Sequence, residues 1–156
     1  MIKLTWDDIE NMTDKISTKI KASGFKPDYI IGLTTGGLIP LYYMVRKLEN
    51  NRNFLTISAN SYIKNVKGDL EIRYLPKIDL SNKKVLLVDE ISGTGDSLKG
   101  ISKILIDEYK IGELKTVTLV VLKDSKFYPD FYALEEGTDW VVFPWDKAEF
   151  PEYFKT

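Results

Sequence analysis

Residues 85–97, VLLVDEISGTGDS, decide the fold predicted for this chain of 156 residues. The stretch begins with four branched apolar residues, a run typical of a strand buried on both faces in the middle of a parallel sheet. Two carboxylates, Asp89 and Glu90, follow at the carboxyl end of that strand. A loop of small residues at 92–97 comes next, and a helical pattern covers 98–109. This order predicts a site for a phosphorylated ligand accompanied by a divalent cation.

The loop at 92–97 has the composition of an anion-binding turn. Its glycines allow the backbone to approach a ligand closely, and its hydroxyl and N–H groups can surround an anion. Ser97 is a candidate N-cap for the helix that follows. The loop lacks the Gly-Lys-Ser/Thr of the Walker motif and the G-x-G-x-x-G of dinucleotide folds. Ordinary nucleotide hydrolysis and nicotinamide binding therefore lose support. A structural alternative stays open, in which the acid pair is only the polar end of a strand and the glycines only form a turn.

The remaining chain alternates strand and helix patterns, which predicts an α/β fold. We expect one domain over residues 1–156, in which helices cover both faces of a wound, mainly parallel sheet. Helices are expected over 6–23, 38–48 and 98–109, the first of them opened by a capping box of Thr5 and Asp8. Strands are expected over 29–33, 53–59, 85–88 and 116–122, and shorter ones near the sheet edge over 131–134 and 140–143. Ligands of such sheets bind outside the carboxyl ends of the strands.

Residues 61–76 are mixed in polarity and are expected to form a small flexible hood over the site. Within the hood, only the alternation of residues 71–75 suggests a hairpin. A polar segment of this length between core strands is usually a lid or an insertion.

Composition excludes several kinds of chemistry. The net charge of −1 comes from 22 basic and 23 acidic residues, so no global basic field favours nucleic acid. No apolar run reaches the ~18 to 20 residues that span a bilayer, and the N-terminal segment lacks the apolar core of a signal peptide. We therefore expect a cytoplasmic protein without a nucleic-acid or membrane partner. Because Cys and His are both absent, any metal must bind oxygen ligands, which favours Mg²⁺ or Mn²⁺.

Two motifs carry a family resemblance. Residues 85–97 resemble the ribose-phosphate binding motif of the type I phosphoribosyltransferases, and residues 32–40, GLTTGGLIP, resemble the loop with which that family holds pyrophosphate. Their order and spacing, with Ser61 and Tyr62 opening the hood, are similar to the 6-oxopurine branch, the xanthine-guanine and hypoxanthine phosphoribosyltransferases. Lys123 and the string DWVVFPWD at 139–146 also look like that branch, so the resemblance covers nearly the whole chain.

The resemblance implies an activity and a role for each candidate residue. The activity is transfer of phosphoribosyl from phosphoribosyl pyrophosphate to hypoxanthine, guanine or xanthine, with Mg²⁺, by a homodimer or larger homo-oligomer. Asp89 and Glu90 would be catalytic, binding the ribose hydroxyls and, directly or through those hydroxyls and water, the metal. The loop at 92–97 would hold the 5′-phosphate through Ser92, Gly93, Thr94, Gly95, Asp96 and Ser97. The pyrophosphate would lie on Thr34, Thr35, Gly36 and Gly37, where the family has a cis peptide.

The purine is expected in the C-terminal part, about residues 123–156. Lys123 would donate a hydrogen bond to the 6-oxo group, and Trp140 or Val141 would cover the ring. A solvated strand end for Lys123 and a core or subunit contact for Trp140 stay open as structural alternatives.

Two positions depart from the 6-oxopurine pattern. Gly93 stands where those enzymes commonly carry an Asp as general base, and Thr35 stands where the pyrophosphate loop commonly carries Arg or Lys. Asp96, or a water held by Glu90, is the expected proton acceptor, unless the proton of the base leaves with little help. Pyrophosphate would be neutralised by Mg²⁺ or by a hood cation, for which the candidates are Lys64, Lys67 and Arg73.

Two other functions stay open. One is a non-catalytic regulator that senses phosphoribosyl pyrophosphate or a nucleotide on the same fold, although the lack of a basic face argues against it. The other is a phosphoribosyltransferase for adenine or a pyrimidine. Lys123 weighs against adenine, because the amino group of adenine is a donor where Lys would also donate.

Overall fold

The computed structural model describes residues 1–49, 53–60, 70–137 and 140–155. Two 3-10 helices, Pro144–Ala148 and Pro151–Phe154, follow the last strand. The helices and strands before them are, in chain order, β1 (Ile2–Lys3), α1 (Trp6–Ala22), β2 (Tyr29–Thr34), α2 (Leu38–Lys47), β3 (Phe54–Asn60), β4 (Glu71–Tyr74), β5 (Lys84–Ser92), α3 (Asp96–Asp107), β6 (Glu113–Leu122), β7 (Phe131–Glu136) and β8 (Val141–Val142).

Six of the strands form one sheet in the order β4-β3-β2-β5-β6-β7. All neighbours in this sheet are parallel except β3 and β4, which pair antiparallel. Helices α1 and α2 cover one face, and α3 covers the other. The predicted α/β fold with a mainly parallel sheet and helices on both faces is confirmed.

The central strand β5 is buried on both of its faces, as its composition predicts. Leu86 and Val88 pack into the apolar cluster under α1 and α2, whereas Val85 and Leu87 pack into the cluster under α3. Each of these four side chains is at most 1% exposed. The period of two along a strand thus divides one apolar run between two cores.

The chain changes winding direction between β2 and β5. From β2 it crosses to β3 on one side, and from β5 it crosses to β6 on the other. The ladder between β2 and β5 ends at Gly32 and Val88, while β5 stays paired with β6 as far as Ser92. The carboxyl ends of β2 and β5 therefore part and leave a crevice, which is where α/β sheets bind ligands.

Strand β5 is longer than predicted. The prediction ended it at residue 88, but pairing with β6 carries it through the acid pair to Ser92. Small and acidic residues have low strand propensity, and here the hydrogen-bonding partner overrides that preference.

The start of α3 also differs from the prediction. Ser97 was the expected N-cap, but the helix begins at Asp96 and its N-cap is Gly95, which has a φ of 85°. This left-handed conformation, which glycine adopts without steric cost, turns the loop directly into the helix. The helix also ends at Asp107, before the residue 109 that its pattern suggested.

Three further predictions, on the last strand, the hairpin and the hood, compare differently with the structure. The strand expected over 140–143 was placed near the edge of the main sheet, but β8 instead pairs with β1 in a separate two-stranded parallel sheet. Strands of two residues carry no periodicity, so sequence patterns cannot assign their partners. Of the hairpin suggested at 71–75, the structure shows strand β4, which pairs antiparallel with β3; residues 61–69 between the two strands lie outside the described ranges. Of the hood residues, Ser61, Tyr62, Lys64 and Lys67 lie outside the described residues.

The helices of the described ranges are either too short or too polar to cross a bilayer.

We predict that the capping box of α1 stabilises the fold measurably. The hydroxyl of Thr5 accepts a hydrogen bond from the N–H of Asp8, and the Asp8 carboxylate accepts one from the N–H of Thr5, at 3.1 and 2.7 Å. Thr5→Ala should lower the free energy of unfolding by about 1 kcal/mol in urea denaturation. The matched control is Thr18→Ala, exposed in the interior of the same helix, which should raise it by a few tenths of a kcal/mol because Ala has the higher helix propensity. Equal effects of the two substitutions would contradict the prediction.

Candidate active site

A cavity of about 270 Å³ lies in the crevice between the ends of β2 and β5. Six residues predicted for the site line it: Thr34, Thr35, Gly36, Asp89, Glu90 and Ser97. Three further lining residues were not predicted, Leu33, Ala59 and Asn60. Asn60 ends strand β3, and the signal that could have found it is the position at a strand's carboxyl end beside the first loop.

The first loop turns sharply between β2 and α2. Its Thr34–Thr35 peptide is cis, as the resemblance implied. The N–H of Gly37 donates to the carbonyl of Leu33 at 2.7 Å, so this N–H is engaged within the turn. A Cβ on Gly37 would lie 2.5 Å from the same carbonyl oxygen. Gly37 therefore shapes the loop, and its N–H is already engaged there; the contact with pyrophosphate expected for this residue stays a prediction.

The acid pair faces this loop at very short range. A Cβ built on Gly36 would lie only 1.9 Å from Oε2 of Glu90, so the loop backbone passes directly beside the carboxylate. Oε2 of Glu90 is buried and has no hydrogen-bond partner among the described residues. Asp89 accepts a hydrogen bond from the N–H of Glu90 at 2.9 Å. Desolvation in the cavity, and then the charge of Glu90, raise the pKa of Asp89 well above its usual range.

These features fit a hard divalent cation bound together with a ligand. A buried carboxylate oxygen without a donor, next to a second carboxylate, is an environment that a cation would stabilise. The described residues contain no group of three or more acidic side chains that could enclose a metal. Two carboxylates would therefore leave most of the coordination sphere to ligand oxygens and water, as is usual for Mg²⁺.

The second loop, residues 93–97, leads from β5 into α3. Because α3 begins at Asp96, the N–H groups of its first turn have no partner within the helix and are suited to an anion. The hydroxyl of Thr94 accepts a hydrogen bond from the N–H of Asp96 at 3.3 Å. A Cβ on Gly93 would meet nothing within 4 Å, so an acidic side chain would fit at this position. Of the loop residues, Ser97 lines the cavity and Asp96 does not.

Ser92 lies in a different place from the one expected. Its side chain is 1% exposed, and its Oγ lies 2.9 Å from Oγ of Ser125 and 2.8 Å from the carbonyl oxygen of Phe127. The hydroxyl of Ser92 is thus turned toward residues 125 and 127 and is buried in the protein. In this arrangement the hydroxyl of Ser92 cannot contact a phosphate.

The residues expected to bind a base do not line the cavity. Lys123 is exposed at the end of β6, where its N–H donates to the carbonyl of Glu136. Trp140 is 56% exposed, and its ring makes an edge contact with Phe150 at a centroid distance of 6.1 Å. Val141 is buried within the small sheet formed by β1 and β8.

Comparison with known proteins agrees with this arrangement of strands and loops. Residues 5–149 match the model of the phosphoribosyl transferase domain. The chain belongs to this family. The xanthine-guanine phosphoribosyltransferase of Chromohalobacter salexigens is 28% identical over 144 residues, which make up 92% of this chain and 82% of the relative. The purine phosphoribosyltransferase of Pyrococcus horikoshii has a solved structure that superposes with a TM-score of 0.81 at 28% identity, covering 92% of both chains.

A third solved structure shares the fold at lower identity. It is a protein of Neisseria gonorrhoeae with bound ppGpp, which superposes with a TM-score of 0.78 at 23% identity over 98% of this chain and 94% of that one. The family resemblance seen in the sequence is thus confirmed, together with the fold of the purine phosphoribosyltransferases.

We predict that the two adjacent glycines of the first loop respond differently to alanine. A Cβ on Gly37 would contact two backbone oxygens, those of Leu33 and Val88, at 2.5 and 2.8 Å. Gly37→Ala should therefore lower the free energy of unfolding by about 2–3 kcal/mol in urea denaturation. Gly36→Ala should cost less than about 1 kcal/mol, because the group it displaces is the flexible end of Glu90. A larger loss for Gly36→Ala than for Gly37→Ala would refute this account of the loop.

Proposed function

We propose that this protein transfers the phosphoribosyl group from phosphoribosyl pyrophosphate to a 6-oxopurine, namely hypoxanthine, guanine or xanthine. The products are the nucleoside 5′-monophosphate and pyrophosphate, as in purine salvage. The observation that carries the proposal is the single cavity that joins the first loop, the acid pair and the start of α3. The relatives named above as xanthine-guanine and purine phosphoribosyltransferases support the class of base.

In the proposed reaction the bond from ribose C1′ to the pyrophosphate oxygen breaks, and a bond from C1′ to the purine nitrogen forms. The electron pair of the broken bond leaves with pyrophosphate, and the purine loses a proton. Positive charge develops on the ribose, much as it does in glycoside cleavage. The site must therefore stabilise the departing pyrophosphate and hold the ribose in place.

Each part of the cavity has a task in this proposal. Thr34, Thr35 and Gly36 receive the pyrophosphate, and the carboxylates of Asp89 and Glu90 accept hydrogen bonds from the ribose hydroxyls. The first turn of α3 receives the 5′-phosphate at its positive end, which fixes the ribose between two anion sites. Holding both ends of the substrate would orient C1′ toward the base.

We also propose that the reaction depends on Mg²⁺. The described residues that line the cavity include two carboxylates and no Lys or Arg, yet the proposed substrate is a polyanion. Two like charges 4 Å apart repel by about 4 kcal/mol at the dielectric typical of a protein surface, so the substrate needs a counter-charge. Bound to Asp89 and Glu90, directly or through ribose hydroxyls and water, Mg²⁺ would neutralise the pyrophosphate as it leaves.

The base-binding part stays a prediction from the resemblance. In this proposal Lys123 donates to the 6-oxo group, Trp140 or Val141 covers the purine ring, and the hood that begins with Ser61 and Tyr62 shields the reaction from water. Self-association as a homodimer or larger homo-oligomer and a cytoplasmic location are proposed on the same ground. Sedimentation as a monomer at micromolar concentration would exclude the first of these.

The deciding experiment offers the protein phosphoribosyl pyrophosphate, Mg²⁺ and a panel of bases, and measures the nucleotide formed. We expect turnover with at least one 6-oxopurine and none with adenine, uracil or orotate. Asp89→Asn and Glu90→Gln should each lower turnover by about 10²-fold, because each removes an interaction that holds the ribose and its metal. Glu113→Gln, at the amino end of β6 and so away from the carboxyl ends of the strands, serves as the matched control and should leave turnover unchanged. Inactivity with all three 6-oxopurines would refute the proposed function.

The same assay distinguishes the candidate proton acceptors. If Asp96 accepts the proton of the purine, Asp96→Asn should lower turnover and flatten its dependence on pH. Turnover that is unchanged across pH would exclude Asp96 and leave a water held by Glu90, or unassisted loss of the proton.

The dependence on Mg²⁺ is tested by titrating the protein with pyrophosphate in a calorimeter, first with Mg²⁺ and then with EDTA. Without the cation we expect binding to weaken by at least about 10²-fold, because the anion would face two uncompensated carboxylates. Gly36→Ala should lose the binding seen with Mg²⁺, since its methyl group displaces the Glu90 carboxylate. Tight binding of pyrophosphate in EDTA would exclude this role for the metal.

A non-catalytic regulator is the second candidate. The observation that favours it is the Neisseria gonorrhoeae protein of the same fold, which holds ppGpp. A regulator of this kind would bind ppGpp or phosphoribosyl pyrophosphate, but it would release no pyrophosphate in the presence of any base. Base-dependent release of pyrophosphate would eliminate it.

A further inference from the structure

The buried hydroxyl of Ser92 belongs to a compact hydrogen-bonded cluster behind the second loop. Oγ of Ser92, Oγ of Ser125 and the carbonyl oxygen of Phe127 form a triangle with sides of 2.9, 2.8 and 3.0 Å. The two hydroxyls supply two protons for three oxygen–oxygen contacts, so at most two of these contacts are hydrogen bonds at one time. The N–H of Phe127 also donates to Oγ of Ser125, at 3.3 Å.

Residues 125–127 also contact the second loop directly. The N–H of Lys126 donates to the carbonyl of Thr94 at 3.0 Å. A Cβ on Gly95 would lie 2.6 Å from the backbone nitrogen of Phe127 and 2.9 Å from Oγ of Ser125. Residues 125–127 therefore pack against the loop with no room for a side chain between them.

Residues 125–127 are themselves held in place by contacts with the rest of the protein. The ring of Phe127 packs against the apolar cluster under α3, which includes Leu98 and Ile101 of that helix. On its other side, the N–H of Ser125 donates to the carbonyl of Leu122 at 2.9 Å, which ties the segment to the end of β6. The second loop thus lies between its own helix and a segment held by the next strand.

We propose that Ser125 is a positioning residue for the 5′-phosphate, acting through the backbone of the second loop. This inference rests on the proposed function, because it takes residues 93–97 to be the phosphate-binding loop. Through Ser92 and Phe127, the Ser125 hydroxyl holds the entry of the loop and the glycine N-cap in the conformation that presents the first N–H groups of α3. A preorganised loop binds an anion more tightly than one that must be ordered on binding.

Two ligands separate this role from a general loss of structure. Ribose 5-phosphate carries the 5′-phosphate alone, and pyrophosphate with Mg²⁺ reports on the first loop and the acid pair. In calorimetric titrations of the full chain, Ser125→Ala should weaken binding of ribose 5-phosphate by about tenfold and change binding of pyrophosphate by less than about twofold. In steady-state kinetics, the KM for phosphoribosyl pyrophosphate should rise by about tenfold while the KM for the base stays within about twofold.

The chain supplies a matched control in Ser102, which is also buried and lies on α3. Its Oγ has no hydrogen-bond partner among the described residues, so Ser102→Ala should leave both titrations unchanged. Ser92→Ala is a second variant of the cluster and should also weaken ribose 5-phosphate selectively. Because the three oxygens share two protons, the effects of Ser92→Ala and Ser125→Ala should not add in the double variant.

The possible results decide the inference. Selective loss of ribose 5-phosphate affinity in the two cluster variants, with Ser102→Ala unaffected, supports it. Wild-type affinity for ribose 5-phosphate in folded Ser125→Ala would overturn it, as would an equal loss of both ligands. A wild-type protein that binds neither ligand would overturn the proposed function and this inference together.

Discussion

The site depends on the parallel pairing of β2 with β5. This pairing places the carboxyl ends of two strands far apart in sequence side by side, so that the loops after them share one edge of the sheet. It also ends at Gly32 and Val88, while each strand continues beside its outer neighbour. The separation of the two strands beyond that point opens the cavity, and the acid pair lies on the continuation of β5.

This geometry places two carboxylates side by side where little solvent reaches them. The short distance between the loop backbone at Gly36 and the Glu90 carboxylate leaves a buried oxygen without a donor. Beside it, Asp89 has a raised pKa because it is desolvated next to a second acid. A protein that only had to fold would gain from an apolar or amide residue here. The cation and the hydroxyl-bearing ligand of the proposed function would complete this acid pair, in which one carboxylate oxygen has no partner among the described residues.

The two loops that follow β2 and β5 reach their conformations by different means. The first is shaped by its own backbone, through the cis peptide after Thr34 and the bond from Gly37 to Leu33. The second is held from outside, by residues 125–127 of a distant segment. Loops that are held in place before a ligand binds would suit the proposed reaction, in which the substrate is held at its two ends.

By itself, the sequence determined the α/β class, the central strand, both loops and the acid pair. These features are local, because apolar periodicity and turns of small residues depend only on residues that are consecutive in the chain. The tertiary structure alone decided the length of β5, the glycine N-cap of α3, and the pairing of β8 with β1. It also placed Asn60 at the cavity and turned Ser92 toward Ser125. Each of these depends on a partner distant in the chain, and no local pattern records which hydrogen bond or contact that partner supplies.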